Sequence, residues 1–412
     1  MREDIKKRIE AVRGGEMPEG YQRTRAGMMP LDWQSNLAAK DIFRNHTNKK
    51  HNGELEVLSA TQDRGIIPRS EVDIDIKYAE ENIGSYKKVE AGDFVISLRS
   101  FQGGIEYSEY EGLVSPAYTV LKATKPISDN YYRAYFKTPD FISRLNGAVY
   151  GIRDGKQIGF EDFGELAVHY PPLAEQQKIA EILATCDRVI ELKQQLLEEK
   201  RRQKQWLMQK LLDPNSAAIV ERRLGDICSI NDCGIDGLSG DSEIFYIDIA
   251  SVDNGKVLFP ESPVKLQDAP VRARRTFKRG DILMSTVRPY LHAFAFVDFD
   301  TKNYVASTGF SILRARNGVS SRLIYQLLFT AEMDKQYSSV LVGSNYPALN
   351  TSDVENLVVF IPESYEKQEA VANVLATGDQ EIGLLSSEIE AWHQKKKALM
   401  QLLLTGLVRV NA

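Results

Sequence analysis

Residues 183–187 read Leu-Ala-Thr-Cys-Asp, and residues 375–379, 192 positions later, read Leu-Ala-Thr-Gly-Asp. The same shift carries Leu207-Met-Gln209 onto Leu399-Met-Gln401 and Leu211-Leu212 onto Leu403-Leu404. Just upstream the shift is 191: Asp162, Leu166, Val168 and Pro171 fall on Asp353, Leu357, Val359 and Pro362, with one residue inserted near Glu363–Tyr365. Further back, Ala91-Gly-Asp-Phe-Val-Ile-Ser97 matches Arg279-Gly-Asp-Ile-Leu-Met-Ser285, and Ser115-Pro-Ala-Tyr-Thr-Val-Leu121 matches Ser307-Thr-Gly-Phe-Ser-Ile-Leu313. Near the front, Lys40-Asp-Ile42 matches Gly225-Asp-Ile227. Chance would scatter such blocks, and here they keep one order at a nearly constant offset. The chain is an internal repeat, two copies of a unit of about 190 residues.

Each copy ends in a long helical stretch. After Pro172 neither Gly nor Pro occurs until Pro214, and Ile179, Leu183, Cys186, Ile190, Leu197, Leu207 and Leu211 recur along it. The second copy has Val371, Leu375, Ile382, Leu385, Ile389, Trp392, Leu399 and Leu403. With Gly378 and Lys396 filled in, the spacing alternates four and three, the heptad signature of a coiled coil. Forty residues of helix would span roughly 60 Å, and an apolar stripe of that length wants a partner. The expected partner is the other copy, antiparallel; the alternative is that each helix packs only on its own domain. Lys193, Lys200, Lys204 and Lys396 fall on the seam, where polar residues fix register at a cost in stability. The charge run Glu198-Glu-Lys-Arg-Arg-Gln-Lys204 reads mainly as a solvated face, with protein docking or phosphate contact as the rivals.

The stretches before the helices read as α/β (α+β) domains with many short strands. Strands are expected at 93–97 and 281–285 after glycine turns, at 118–121 and 310–313, and at 166–170 and 357–361. Helices are expected over 131–145 and 321–337. The resulting division is an extension at 1–29, a first mixed domain at 30–170, a helix at 171–213, a second mixed domain at 214–361, and a helix with tail at 362–412. The extension has no match in the second copy. Its Gly20–Trp33 part is expected to continue, in space, from Gly406-Leu-Val-Arg409.

Between the matching blocks the copies diverge: residues 43–90 and 228–276 share almost nothing. One framework with two unlike loop sets suggests two related tasks on two targets. These stretches also hold the local basic charge: Arg44, Lys49, Lys50, His51, Arg64 and Arg69 in the first, and Arg272-Ala-Arg-Arg-Thr-Phe-Lys-Arg279 in the second. An arginine follows each Gly-Asp strand, Arg99 and Arg288, with Phe101, Gln102, Tyr290 and His292 close by. Arginine on guanine and amides on adenine form the grammar of major-groove readout. The candidate DNA contacts are Lys49, Lys50, Arg64, Arg69, Arg99, Gln102, Arg272, Arg274, Arg275, Lys278, Arg288 and Tyr290. For any one of them taken alone, a solvated loop charge is an equal reading.

Composition narrows the rest. The 412 residues are 43% hydrophobic and 26% charged, with net charge −5, ordinary for a globular chain of two or three domains. No apolar run is long enough for a membrane span. The charged start Met1–Glu10 is not a signal peptide, so a cytoplasmic place is expected. Three cysteines, Cys186, Cys228 and Cys233, without a CxxC, read as small buried or half-buried thiols rather than a disulfide framework or zinc ribbon. The five histidines lack metal-ligand spacing, and no metal site is expected. Gly151-Ile-Arg-Asp-Gly-Lys156, followed by Gln157, has the wrong spacing for a phosphate-binding loop, and neither a dinucleotide fingerprint nor a nucleophile elbow occurs. Gly103-Gly104 reads as a turn. A self-contained methyltransferase or nuclease would need a site this sequence lacks, so no catalytic residue is assigned.

The duplicated order of these blocks resembles the specificity (S) subunit of type I restriction-modification systems, from about Pro30-Leu-Asp-Trp33 to Arg409. The marks are Pro171-Pro-Leu-Ala-Glu-Gln-Gln-Lys-Ile179, the Ala-Thr-x-Asp and Leu-Met-Gln blocks and Leu402-Leu-Leu-Thr-Gly406. The resemblance implies two tandem target-recognition domains joined by two long helices that form an antiparallel coiled coil, a pseudo-two-fold arrangement. Its seam would hold Ile179, Leu183, Ile190, Leu197, Leu207, Leu375, Ile382, Leu385, Ile389, Trp392 and Leu399. Each domain would read half of a bipartite, asymmetric site in double-stranded DNA. The helices would set the spacer and dock two methyltransferase (M) subunits, with restriction (R) subunits joining them. S-adenosylmethionine, ATP and Mg²⁺ would belong to those partners, none to this chain, and the mark would be N6-methyladenine. A coiled-coil scaffold that no longer reads DNA is the alternative.

Overall fold

A computed structural model describes residues 3–72, 80–98, 100–148, 158–253, 255–341 and 348–410. The chain divides into two compact units, Met1–Lys193 with Glu388–Ala412, and Gln194–Ser387. Both units therefore contain part of each long helix.

In the first unit, α1 (Glu3–Arg13) precedes the hairpin β1 (Tyr21–Thr24) and β2 (Gly27–Pro30). Then come β3 (Phe43–Asn45), the hairpin β4 (Leu58–Thr61) and β5 (Gly65–Pro68), β6 (Lys87–Val89) and β7 (Phe94–Ile96). They are followed by α2 (Ser100–Gly103), β8 (Glu106–Tyr107), β9 (Gly112–Val114) and β10 (Thr119–Ala123). The helices α3 (Asp129–Tyr135), α4 (Pro139–Gly147), α5 (Phe160–Gly164) and α6 (Leu173–Leu211) complete the copy. Its central sheet is antiparallel, in the order β3-β10-β7-β8. Beneath it lies an aromatic core in which Phe43, Phe94, Tyr132, Phe136, Phe141 and Phe163 are wholly buried.

The second unit repeats this plan. Its elements are β11 (Ile219–Arg223), α7 (Leu224–Ile227), β12 (Cys228–Ile230), β13 (Glu243–Ile247), β14 (Val252–Asp253), β15 (Lys256–Val257), β16 (Val264–Lys265) and β17 (Ala273–Arg275). They continue as β18 (Ile282–Ser285), β19 (Phe294–Phe296), β20 (Tyr304–Ser307), β21 (Phe310–Ala315), α8 (Ser321–Leu327), α9 (Ala331–Val340), α10 (Thr351–Asn356), β22 (Val358–Pro362) and α11 (Tyr365–Leu404). The sheet β12-β21-β18-β19 is again antiparallel and uses the matching strands in the same order. The second unit also has a sheet β16-β13-β20-β17, with a parallel β13–β20 pair, that has no counterpart among the described residues of the first.

Two sequence expectations change. The helices expected over 131–145 and 321–337 are each broken in two. Thr138 and Thr330 sit at the breaks, where their side chains accept from the Phe141 and Met333 amides and so start new helices, and Pro139 occupies the first position of α4. The expected strand at 166–170 makes only isolated bridges, Ala38 to Ala167 and Gln34 to Tyr170, where the second unit has the β11–β22 ladder.

The long helices run to 39 and 40 residues. Their starts belong to the domain cores: Ile179 and Leu183 bury with the aromatic cluster, Val371 and Leu375 with its counterpart. The end of the other helix enters the same core, Leu403 and Leu404 in the first unit, Met208 and, just past the helix, Leu212 in the second. Packing on the domain and pairing with the other helix are thus both present. A buried glutamine opens each helix. Gln176 accepts from the Ser128 amide and donates to the Pro171 carbonyl; Gln368 does the same for Ser320 and Pro362, all at 2.8–2.9 Å.

Within each unit the two helices run antiparallel. In the first, Lys193 pairs with Glu388 and Lys396 with Asp187; in the second, Lys200 pairs with Glu381 and Lys204 with Asp379. All four seam lysines thus meet acids on the facing helix. Ile190, Leu385 and Ile389 are buried on the seam, while Leu197, Leu207, Ile382, Trp392 and Leu399 are half-buried.

The chain ends meet inside the first unit. Tyr21 donates to the Gly406 carbonyl (2.6 Å) and Arg8 to that of Leu407 (2.8 Å). Arg409 forks between Asp32 and Glu175, and Glu175 also accepts from the Trp33 indole. Gly406 is left-handed (φ 70°), and a Cβ there would strike Pro30, so only glycine lets the tail lie on the hairpin. Buried His169 stands between the carbonyls of Leu404 and Ala26.

Candidate nucleic-acid interface

The same corner of both sheets carries some of the candidate residues, Lys49, Lys50 and Gln102 in the first unit and Arg272, Arg288 and Tyr290 in the second. A left-handed glycine, Gly92 or Gly280, leads into the central strand. The following aspartate is buried and closes the turn: Asp93 accepts from the Glu90 amide (2.9 Å), Asp281 from that of Lys278 (2.8 Å). β7 and β18 then run to the opposite end of the sheet, where Ile96 faces Thr119 and Ser285 faces Phe310. Beyond them lie α2 and the turn Pro289–Leu291.

In the first unit this end gathers cations from distant positions. Lys88 donates its amide to the Asn48 carbonyl, which brings exposed Lys49 and Lys50 beside β6. Lys87 reaches the Tyr118 carbonyl at 2.5 Å. Burial, and then the charge of Lys49, hold the Lys87 ammonium below its ordinary range, a setting that an incoming anion relieves. Sequence reading missed Lys87; the doublet Lys87-Lys88 inside a strand was its only signal. Gln102 is exposed on α2. The β4–β5 tip abuts α2 so closely that a Cβ on Gly103 would strike Gln62. Arg64, at that tip, is exposed but turned to Glu71, donating to its carbonyl at 2.8 Å. Arg69 is half-buried in the turn after β5. Arg99 lies outside the described residues, as does Gly151–Lys156.

In the second unit the linear basic run does not act as one patch. β17 stretches it along the sheet. Arg272 lies at the readout end, where its carbonyl accepts from Thr308, while Gly309 next to it accepts from Thr286. Exposed Lys278 lies at the other end, in the turn before Asp281. Arg274 is exposed between them. Arg275 pairs with Ala306, and among the described residues its Nε is buried without a hydrogen-bond partner. Exposed Arg288 and Tyr290 join Arg272 at the readout end. A groove of about 1200 Å³ in this unit lies elsewhere, along α6 and α11, between Lys204, Tyr325 and Asp379.

Of the thiols, Cys186 and Cys228 are buried and Cys233 half-buried; burial pushes the Cys228 thiol up to about 12. Among the described residues no cluster of His, Cys, Asp or Glu is placed to hold a metal ion, and no helix is long and apolar enough to cross a membrane.

Known proteins place this duplicated architecture. The profile of the type I restriction modification DNA specificity domain matches residues 35–200 and again 219–391. The chain belongs to that family. It is 23% identical to the type I restriction enzyme MjaVIII specificity subunit of Methanocaldococcus jannaschii, covering 78% of this chain and 80% of that one. To a second protein of that organism, the putative MjaX specificity subunit, identity is 24% over 95% and 97% of the two chains. The match to the HindI specificity subunit of Haemophilus influenzae is 28% identical but covers 38% of this chain and 35% of that protein. Among solved structures, the S subunit from M. genitalium aligns at a TM-score of 0.54 and 14% identity over 90% and 96% of the chains. A chain from a study of type I assembly and conformational transition aligns at 0.57 and 13% over 95% and 100%. At such identities the structures establish the fold, and the two matched segments are the two repeats of the family chain.

Proposed function

We propose that this chain is the non-catalytic DNA-recognition subunit of a type I restriction-modification complex, acting in the cytoplasm. One observation carries the reading. Two sheets of the same strand order present, at the same end, different side chains: exposed Lys49, Lys50 and Gln102 with half-buried Lys87 in one, exposed Arg272, Arg288 and Tyr290 in the other. A common frame with unlike tips suits an asymmetric, bipartite site in double-stranded DNA, one half per domain. The lysines supply phosphate contacts and salt dependence; Gln102 and Arg288 are suited to base edges.

The paired helices set the spacer between half-sites. Two M subunits dock around them and R subunits join; S-adenosylmethionine, ATP and Mg²⁺ are theirs. The test is co-expression with the methyltransferase encoded beside this chain, followed by mapping of methylated adenines. The expected result is one bipartite motif with a fixed gap. Gln102→Ala and Arg288→Ala should each weaken specific binding by about 1–3 kcal/mol and relax one half-site only. Assembly of the complex with no new methylation would favour a scaffold, and failure to assemble would overturn the reading.

A further inference from the structure

The turn after β18 is built to hold apolar side chains out in solvent. Tyr290 is 46% exposed and Leu291 64%. They sit between two non-glycine residues in left-handed backbone, Arg288 (φ 48°) and His292 (φ 54°). Such residues are strained and persist only where the surroundings impose them. The surroundings do so here. His292 Nε2 lies 2.7 Å from Asp334 Oδ1. Ser285 Oγ donates to the Val287 carbonyl, Thr286 to that of Gly309, and the Leu349 amide to that of Thr286. The tip is therefore rigid and flanked by cations, Arg288 on the turn and Arg272 beside it, with Val271 next to Arg272 81% exposed. In the first unit, where the pairing of Phe94 with Tyr107 answers that of Ile282 with Phe296, exposed Gln102 stands in the place of Leu291 and Gly103 in that of His292, and the left-handed backbone falls on Gly104 (φ 82°), as glycine takes without strain.

We propose that Tyr290 and Leu291 form a wedge that enters the DNA duplex and unstacks one base step in or beside the second half-site. Rigid apolar side chains beside phosphate-seeking arginines are the means by which proteins open a step. The half-site read by the second domain therefore includes a deformable step, and its specificity is partly a matter of shape. The first domain, with polar Gln102 in the place of Leu291, reads without the wedge. This rests on the DNA-recognition reading above.

The test uses the full chain assembled with its methyltransferase subunits. Single mismatches are walked through both half-sites, leaving out the methylated adenines, and binding is measured for each duplex. One mismatch in or beside the second half-site should tighten binding about tenfold, because the unstacking is already done. None in the first should. In Tyr290→Ala/Leu291→Ala that gain should fall below twofold, while Tyr290→Phe retains it. No tightening in the wild type, or a gain that survives in the double variant, would overturn the wedge. So would loss of methyltransferase co-purification in the double variant, which would make the tip a protein contact. Failure of the recognition reading looks different: the wild-type complex would prefer no duplex at all.

Discussion

Asp93 and Asp281 head the central strands of the two sheets and close the same turn, yet they are neutralised differently. Arg314 grips Asp281 through two bonds, Nε and Nη2, at 2.8 and 2.7 Å. At the equivalent position, 192 residues earlier, stands Lys122, and it pairs with Glu90 instead. Asp93 keeps the Glu90 amide, and burial pushes its carboxyl above the ordinary range. The turn is a backbone device that both copies need. The counter-charge differs between the copies.

The largest break in this comparison should come from Arg314→Ala. It strands Asp281 as a buried charge and should cost about 3–5 kcal/mol. Lys122→Ala, on a partly exposed pair, should cost at most about 1 kcal/mol. Denaturant unfolding of the two variants measures the gap, and equal losses would show that Asp281 does not depend on its arginine. Gln176→Ala and Gln368→Ala should instead behave alike. Each leaves a backbone amide and a buried carbonyl unpaired, for about 1–3 kcal/mol; unequal losses would mean the two helix starts are not the same device.

A pH arm separates the units further. Position 169 is His in the first copy and its counterpart, Phe360, cannot titrate. Burial holds the His169 imidazole below its ordinary range, so the unfolded chain takes up a proton first. Stability of the first unit should be lost as pH falls below about 6.5. Asp93, Glu106 and Asp129, whose carboxyls burial raises, pull the other way, so the reading is the difference between wild type and His169→Phe. Hydrogen exchange at pH 5 and 7 should show faster opening around the Leu404 and Ala26 contacts in the wild type alone. A pH response of equal size in the variant would remove His169 from the account. The smallest effect is expected from Lys193→Ala and Lys396→Ala, on exposed interhelix pairs, at about 0–1 kcal/mol each and less in high salt.

Some sequence signals were strong because they are local. Glycine turns, heptad spacing and the duplicated order of blocks announced the central strands, both long helices and the repeat, since each depends on residues close together in the chain. The breaks at Thr138 and Thr330 were legible in principle as N-caps, but the apolar spacing ran through them and masked the stop. The candidate interface was legible only in part. The run Arg272–Arg279 looked like one cluster, and an extended strand, at roughly 3.3 Å per residue, carries its two termini to opposite ends of the sheet. Lys87 looked like an ordinary strand residue, and only sheet pairing sets it beside Lys49.

By itself, then, the sequence determined that there are two copies, where each central strand begins, and that two long amphipathic helices follow, because these are written in short-range periodicity and turn chemistry. The tertiary structure alone decided which cations share an end of a sheet, that every seam lysine finds an acid, and which buried aspartate has an arginine. Those choices depend on contacts between residues tens to hundreds of positions apart, and no local pattern encodes them.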